Sequence, residues 1–449
     1  MAKPRQWIRR RRKELRMTQR VFARRAGVKL RTVQRWEAGE TFPDMEDQQS
    51  IALALDLAAE FVLAQFAAEL GVEVTIAIPS DGDSLSAVWV PDATVALASH
   101  LTARDSMNRR TALKTLAVLS GAQLLEPLEG WLQPDTRRPQ PSRMSTCQLS
   151  LQDVAQLESA ARVLRALKGR GELGYKAVLG LLDDVSEALR RYQPSHVEQG
   201  LYRVMAILAQ AAASVAWDAG MQRCAQDYYH LAIRAAHSGG DALFGANALA
   251  GLARQTFYLG HAQDGLELVR LAQAGLRGHT APKLQAMLLT REAWGYAAAG
   301  RAAAFSRTTS LAYDSLAKAG PEEPQWMAYF DAGEIAGVAG GRLLEMARRD
   351  AEHAEKARDN IVKAIDDKTT KAGRGYVLDH IGLAECGFIL NDTAAALADT
   401  HRALDLAEQV NSGRVQNGLK RLHRYVAGVE TAQGRAATQR LVQLVQGAA

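Results

Sequence analysis

Glycines close apolar, alanine-rich stretches at a regular interval: VAWDAG ends at Gly220, TFYLG at Gly260, GYAAAG at Gly300 and GVAGG at Gly341, spaced 40, 40 and 41 residues apart. Longer breaks fall between them, HSGGD at 237–241, RGHTAP at 277–282 and AGPEEP at 319–324. Each unit therefore reads as helix, short turn, helix, loop, with weaker copies turning at Asn391 and Gly434. A helical pair cannot bury its apolar face alone, so such units stack into a right-handed superhelix, with small residues where helices approach closely. That restricts roughly the last 300 residues to a helical solenoid.

A chain of 449 residues exceeds one ordinary core, so at least two units are expected. An apolar content of 47% excludes a mainly disordered protein. The formal charge is +6, but residues 1–49 hold 14 Lys and Arg against 6 acidic residues, so the excess lies at the N-terminus and the remainder is slightly acidic. A localised positive field of this kind suits a polyanion, because neutralising phosphates releases condensed counterions. The three cysteines, Cys147, Cys224 and Cys386, have neither disulfide-framework nor zinc spacing, which points to a reduced compartment. The basic start MAKPRQWIRRRRKEL leads into no apolar core of a signal, and IALALDLAAEFVLAQFAAEL at 51–70 is interrupted by Asp56, Glu60 and Glu69. The expectation is a cytoplasmic protein with no membrane partner.

The N-terminal basicity has a pattern. Ile8 and Leu15, Phe22 and Ala26, and Val33 and Trp36 mark three short amphipathic stripes. Thr18 is placed to cap the second helix and Gly27 to end it, and the third ends at AGETFP, where Gly39 and Pro43 stop it. Two short helices about a tight turn, the second cationic, form a helix-turn-helix pattern. The run MTQRVFARRAGVKLRTVQRWEAGETFP resembles the phage-repressor and Xre type of DNA-binding domain, through Thr18, Gln19, Phe22, Ala23, Gly27, Val28, Thr32, Val33, Trp36, Glu37, Gly39 and Pro43. The resemblance covers residues 1–70 and implies major-groove contact with double-stranded DNA by Gln19, Lys29, Leu30, Arg31, Thr32, Gln34 and Arg35. It also implies an Arg12–Glu37 pair and a buried Trp36 as support. Where the family has a Ser or Thr cap before the recognition helix, this chain has Lys29 and Leu30, so no base preference carries over.

Residues 71–145 read as a connecting region. VEVTIAI alternates with period two, Pro79–Asp83 turns and LSAVWV follows, which predicts a small β-hairpin over 71–90. NRRTALKTLAVLSGAQLL at 108–125 resembles a twin-arginine export signal, but it follows a complete domain, so a helix packed under the next domain is expected. A similar Arg-Arg-Thr segment is what the resemblance to actinobacterial regulators implies. The prolines of LQPDTRRPQPSR mark the boundary to the repeats at 146–449.

The repeats resemble tetratricopeptide units, longer than usual and without the full aromatic and proline pattern. The fold class is thus all-α with one hairpin. Polar and aromatic residues on the first helix of each pair should line the concave face. Asn247, Arg254, Tyr258, Arg291, Trp326, Tyr329, Asp331 and Glu334 form the candidate effector pocket, with Asp331 and Glu334 inward for a peptide amine, a small molecule or a protein partner. No metal spacing, phosphate loop or nucleophile elbow is present, so no enzyme, cofactor or metal site is expected. The whole reads as a homodimeric transcriptional regulator whose repeats dimerise or sense an effector. The alternative is a repeat-based interaction scaffold or anti-factor with secondary DNA binding, and a weaker third is an exported protein using the twin-arginine segment.

Overall fold

The structure is a computed structural model that describes residues 5–15, 17–26, 28–41, 43, 50–51, 54–55, 89–107, 116–133, 149–166, 171–368, 371, 373–410 and 412–446. Among these the chain is helical with no strand, and it divides into two compact units, Met1–Leu85 and Ser86–Ala449. The hairpin expected at 71–90 and the Pro-rich linker lie outside the described residues, apart from Trp89 and Val90 before the first helix of the second unit and Leu132 and Gln133 at the start of the linker.

The first unit contains α1 (Gln6–Glu14), α2 (Gln19–Arg25) and α3 (Leu30–Ala38). Thr18 caps α2 as expected, its hydroxyl accepting from the Val21 N–H at 3.3 Å. Lys29 offers α3 no side-chain cap, and the helix ends at Gly39 in the left-handed region. Ile8, Phe22, Val33 and Trp36 meet Ile51 and Leu55 in a single apolar core.

The second unit opens with α4 (Pro91–Met107), a short α5 (Ala122–Leu125) running into a 3-10 turn, α6 (Leu151–Ala166) and α7 (Gly171–Leu189). Six pairs follow: α8 (Ser195–Asp218) with α9 (Gln222–Ser238), α10 (Ala242–Tyr258) with α11 (Ala262–Gly275), and α12 (Pro282–Ala298) with α13 (Ala302–Leu316). Next come α14 (Ala332–Ala347) with α15 (Ala354–Asp367), α16 (Gly373–Ile389) with α17 (Thr393–Ala407), and α18 (Gly413–Val426) with α19 (Ala432–Gln446). By length and apolarity α8 could cross a membrane, but 78% of its apolar window is buried by its neighbours, which makes it a core helix.

Successive first helices, α8, α10, α12, α14, α16 and α18, touch one another and build an inner wall, while the second helices cover it. The array then returns on itself, because α18 also touches α8. The Asp218 carboxylate receives Arg414 through Nε at 2.9 Å and Nη2 at 2.6 Å, and Arg374 joins it. Asn417 donates to the Tyr258 hydroxyl at 2.9 Å beside this seam. A Cβ on Gly413 would lie 2.8 Å from the Asp218 carbonyl oxygen, so the close approach there depends on glycine.

The connecting chain is held against α9, α10 and α11. The Gln226 side chain donates to the Leu119 carbonyl at 2.9 Å and accepts from its N–H at 2.8 Å. Trp131 fills notches over Gly245 and Gly275, where a Cβ would come within 2.2 and 2.4 Å of its ring. The expected helix under the repeats is thus a packed segment, but residues 116–120 are not helical and 108–115 lie outside the described residues. α4 is fixed by a buried network in which Arg104 reaches Asp105 at 2.6 Å and Asp227 at 2.5 Å, and the Tyr175 hydroxyl donates to Asp105 at 2.7 Å.

The glycine periodicity holds for three of its four members: Gly220, Gly260 and Gly300 adopt φ of 82°, 91° and 71° at the turn within each pair. Asn391, at φ 61°, turns the α16–α17 pair as expected. Gly341 does not end a helix. It lies inside α14, whose pair turns at Arg348–Asp350. Its neighbour Gly340 is there for contact, since a Cβ would sit 2.6 Å from Ile361 Cγ1. Gly434 likewise belongs to α19, one turn past the bend. The two glycine classes respond oppositely to Ala. Gly341→Ala, with open space around its Cβ, should stabilise the chain by about 0.5–1 kcal/mol. Gly260→Ala should destabilise it by about 1–2 kcal/mol through the left-handed backbone. Denaturant unfolding of the two variants reads both signs, and a destabilised Gly341→Ala would return the turn to that position.

Candidate nucleic-acid interface and inner cavity

Helical geometry divides α3 into two faces. Val33, Trp36 and Glu37 are buried, whereas Arg31, Gln34 and Arg35, with Lys29 just before them, are exposed, and Leu30 and Thr32 are half-buried. Trp36, only 1% exposed, packs in the core, so the indole fixes the helix from behind and leaves the cations free of packing duty. Among the described residues Arg31 has no ion-pair partner, and Arg35 has only Glu40 at 3.9 Å with both side chains about half-exposed. A surface pair of that kind contributes little.

Glu37 is the electrostatic anchor. Its carboxylate accepts from Arg12 Nε at 2.6 Å and Nη2 at 3.3 Å, and from the Gln19 amide at 2.7 Å, while Arg9 stands at 3.6 Å. Arg12 also donates to the Met17 carbonyl at 2.8 Å, so one guanidinium ties together α1, the chain before α2, and α3. Burial pushes the Glu37 carboxyl up, but the hydrogen bonds of Arg12 and Gln19 and the charges of Arg12 and Arg9 outweigh it and hold the group below its usual range. Gln19, expected at the groove, is half-buried and commits one amide N–H to this anchor. Arg5 was not singled out by the sequence. Its guanidinium donates to the Trp36 and Thr41 carbonyls at 2.9 and 2.8 Å, tying the last turn of α3 to the chain that follows it.

In the second unit two cavities run along the inner wall, of about 80 Å³ and about 250 Å³, sharing Trp217, Arg254 and Arg414. The smaller takes Asn247, Arg254, Arg291 and Tyr329 from the expected set, and the larger takes Arg254, Tyr258 and Glu334. Trp326 and Asp331 line neither. WMAYFDAGE is not one helix: Gln325–Met327 is a 3-10 turn, and α14 starts only at Ala332. Asp331 is its cap, accepting from the Glu334 N–H at 2.9 Å, which commits the carboxylate to the backbone. Trp326 packs edge-on against Phe244 at 5.5 Å. Glu334 does face the larger cavity, but Lys368 lies 3.4 Å away and already answers it. An amine-binding acidic pair is therefore not assembled.

The smaller cavity is instead cationic. Arg165, Arg374 and Arg414, which the sequence reading missed, join Arg254 and Arg291 there. A signal existed: Arg374 and Arg414 occupy the second position of successive first helices, one repeat interval apart. Trp217 lies under two of these groups, with Arg414 4.0 Å and Arg254 5.7 Å from its ring.

Residues 8–62 match the Helix-turn-helix family, a module that binds double-stranded DNA. Among curated proteins no match to the chain is found. Two outcomes follow from the anchor. Trp36→Ala should cost the headpiece about 3–5 kcal/mol through the cavity it leaves. Acid should weaken α1–α3 as well: a carboxyl whose folded pKa lies below the ordinary 4.5 contributes stability that is complete above that value and lost as pH falls through the folded one. Hydrogen exchange of the α1–α3 amides across that range should show this loss, and Glu37→Gln should flatten it.

Proposed function

We propose that this protein is a sequence-specific DNA-binding transcriptional regulator in which the repeat unit serves dimerisation and effector sensing. The observation that carries the reading is α3, with Arg31, Gln34 and Arg35 on a solvent face while Trp36 and the Arg12–Glu37 pair lock the opposite side. An Arg fork can donate two hydrogen bonds to guanine O6 and N7 in the major groove, and the surrounding cations supply the phosphate attraction. One small headpiece makes too few contacts for tight specific binding, so the functional form is a homodimer reading two half-sites about one helical turn apart. No step of catalysis is assigned to the chain, and a cytoplasmic setting fits the free, buried Cys224 and Cys386.

An effector on the repeats acts by binding one arrangement of the unit better than another, and it shifts the DNA-binding equilibrium by that difference alone. Selection from random duplexes with the full chain, followed by footprinting, tests the DNA reading directly. A pair of protected half-sites is expected, and selection of no shared sequence would overturn sequence-specific regulation. On the selected site, Arg31→Ala should lose about 1–3 kcal/mol and relax preference at one base position. Equal losses on specific and random duplexes would make Arg31 a phosphate contact.

A further inference from the structure

The smaller inner cavity carries a charge problem that the DNA-binding reading leaves unused. Among the described residues Arg165, Arg254, Arg291, Arg374 and Arg414 line it and no carboxylate does. Asp218 pairs with Arg374 and Arg414, so the five guanidinium groups exceed their paired acid by four charges. The Glu334 carboxylate belongs to the neighbouring cavity, where Lys368 engages it. Arg291 and Arg414 are 6% and 7% exposed. The Nε atoms of Arg291 and Arg254 and Nη1 of Arg414 are buried with no hydrogen-bond acceptor among the described residues.

Burying a guanidinium without an acceptor is unfavourable, and crowding several together adds mutual repulsion. Burial, with Arg374 beside it, pushes Arg414 down to about 9, and burial with Arg254 beside it pushes Arg291 down to about 10. A structural ion-pair network would close its own balance, as the Glu37 anchor does. This one stays open on the side facing the cavity, where Asn247 and Gln210 add an amide pair joined at 3.2 Å.

We propose that the cavity binds the polyanionic head of a small ligand, a phosphate ester or diphosphate, between Arg254, Arg291 and Arg414, with the rest of the ligand extending into the 250 Å³ cavity beyond Trp217. This rests on the reading of the repeats as the sensing unit and names what they sense. A single carboxylate would answer one of the four excess charges. A phosphate or diphosphate brings two or more, with several oxygens that match the planar forks of arginine. The bound anion competes with Asp218 for Arg374 and Arg414, so occupancy is coupled to the seam between α8 and α18.

The test uses the full chain and sodium pyrophosphate, titrated calorimetrically against acetate and against sodium chloride at matched ionic strength. Saturable pyrophosphate binding at one site per chain is expected, with no saturable acetate or chloride signal. Arg291→Gln should weaken it at least tenfold. If that variant fails to fold by circular dichroism, Arg254→Gln at the half-buried cavity edge should do the same. Absence of saturable pyrophosphate binding, equal binding of acetate, or unchanged affinity in a folded variant would overturn the proposal. DNA binding is measured on the same preparations. Site-specific DNA binding without pyrophosphate binding sinks only the anion site, whereas pyrophosphate binding without sequence-specific DNA binding upholds the site and sinks the regulatory reading.

Discussion

Asp218 holds two arginines that follow it by 156 and 196 residues, and the inner face of the repeat unit depends on that junction. In an open helical array each pair touches only its neighbours, and the stability is close to a sum of local terms. The seam between α8 and α18 removes that independence. A buried ion pair is weak as a source of net stability, but it is specific, because a carboxylate in a dry site accepts only well-aligned donors. Here the alignment sets Arg414, which lines the cavity, over Trp217 and leaves its Nη1 with no acceptor among the described residues.

The two units use the same device to different ends. In the headpiece Glu37 gathers Arg12 and Gln19, and its charge is balanced with every oxygen engaged, which suits a scaffold that must present α3 rigidly. In the repeat unit Asp218 is outnumbered by the guanidinium groups around it. A balanced buried network rigidifies, whereas an unbalanced one is poised to take up charge.

Local rules made much of this legible. The Thr18 cap, the Gly39 terminus, the buried Trp36 and the turns at Gly220, Gly260 and Gly300 each follow from what one residue type does best in a backbone setting, whereas the Arg12–Glu37 pair was legible only through the family resemblance. The failures share a cause. Gly341 reads like the other glycines because sequence cannot separate a glycine needed for φ from one that merely lies inside a helix, here beside the packing glycine Gly340. Asp331 reads as a ligand because a cap and a pocket acid look alike until the helix start is known. The arginine cavity escaped because Arg165, Arg254, Arg291, Arg374 and Arg414 come from five helices, and only closure of the array brings them together. No window along the chain contains that information.

Trp131, lodged over Gly245 and Gly275, and Gln226, clasping the Leu119 backbone, make the connecting segment behave as a ligand the protein supplies to itself. A side-chain amide that bonds both polar groups of one residue, next to an indole in a shaped notch, is how many domains recognise an extended peptide from another molecule. Because this peptide is part of the same chain, a free competitor faces an effective concentration on the order of millimolar. The surface of α9, α10 and α11 beneath this segment is in that sense already occupied, and an incoming molecule meets open recognition chemistry in the inner cavities instead.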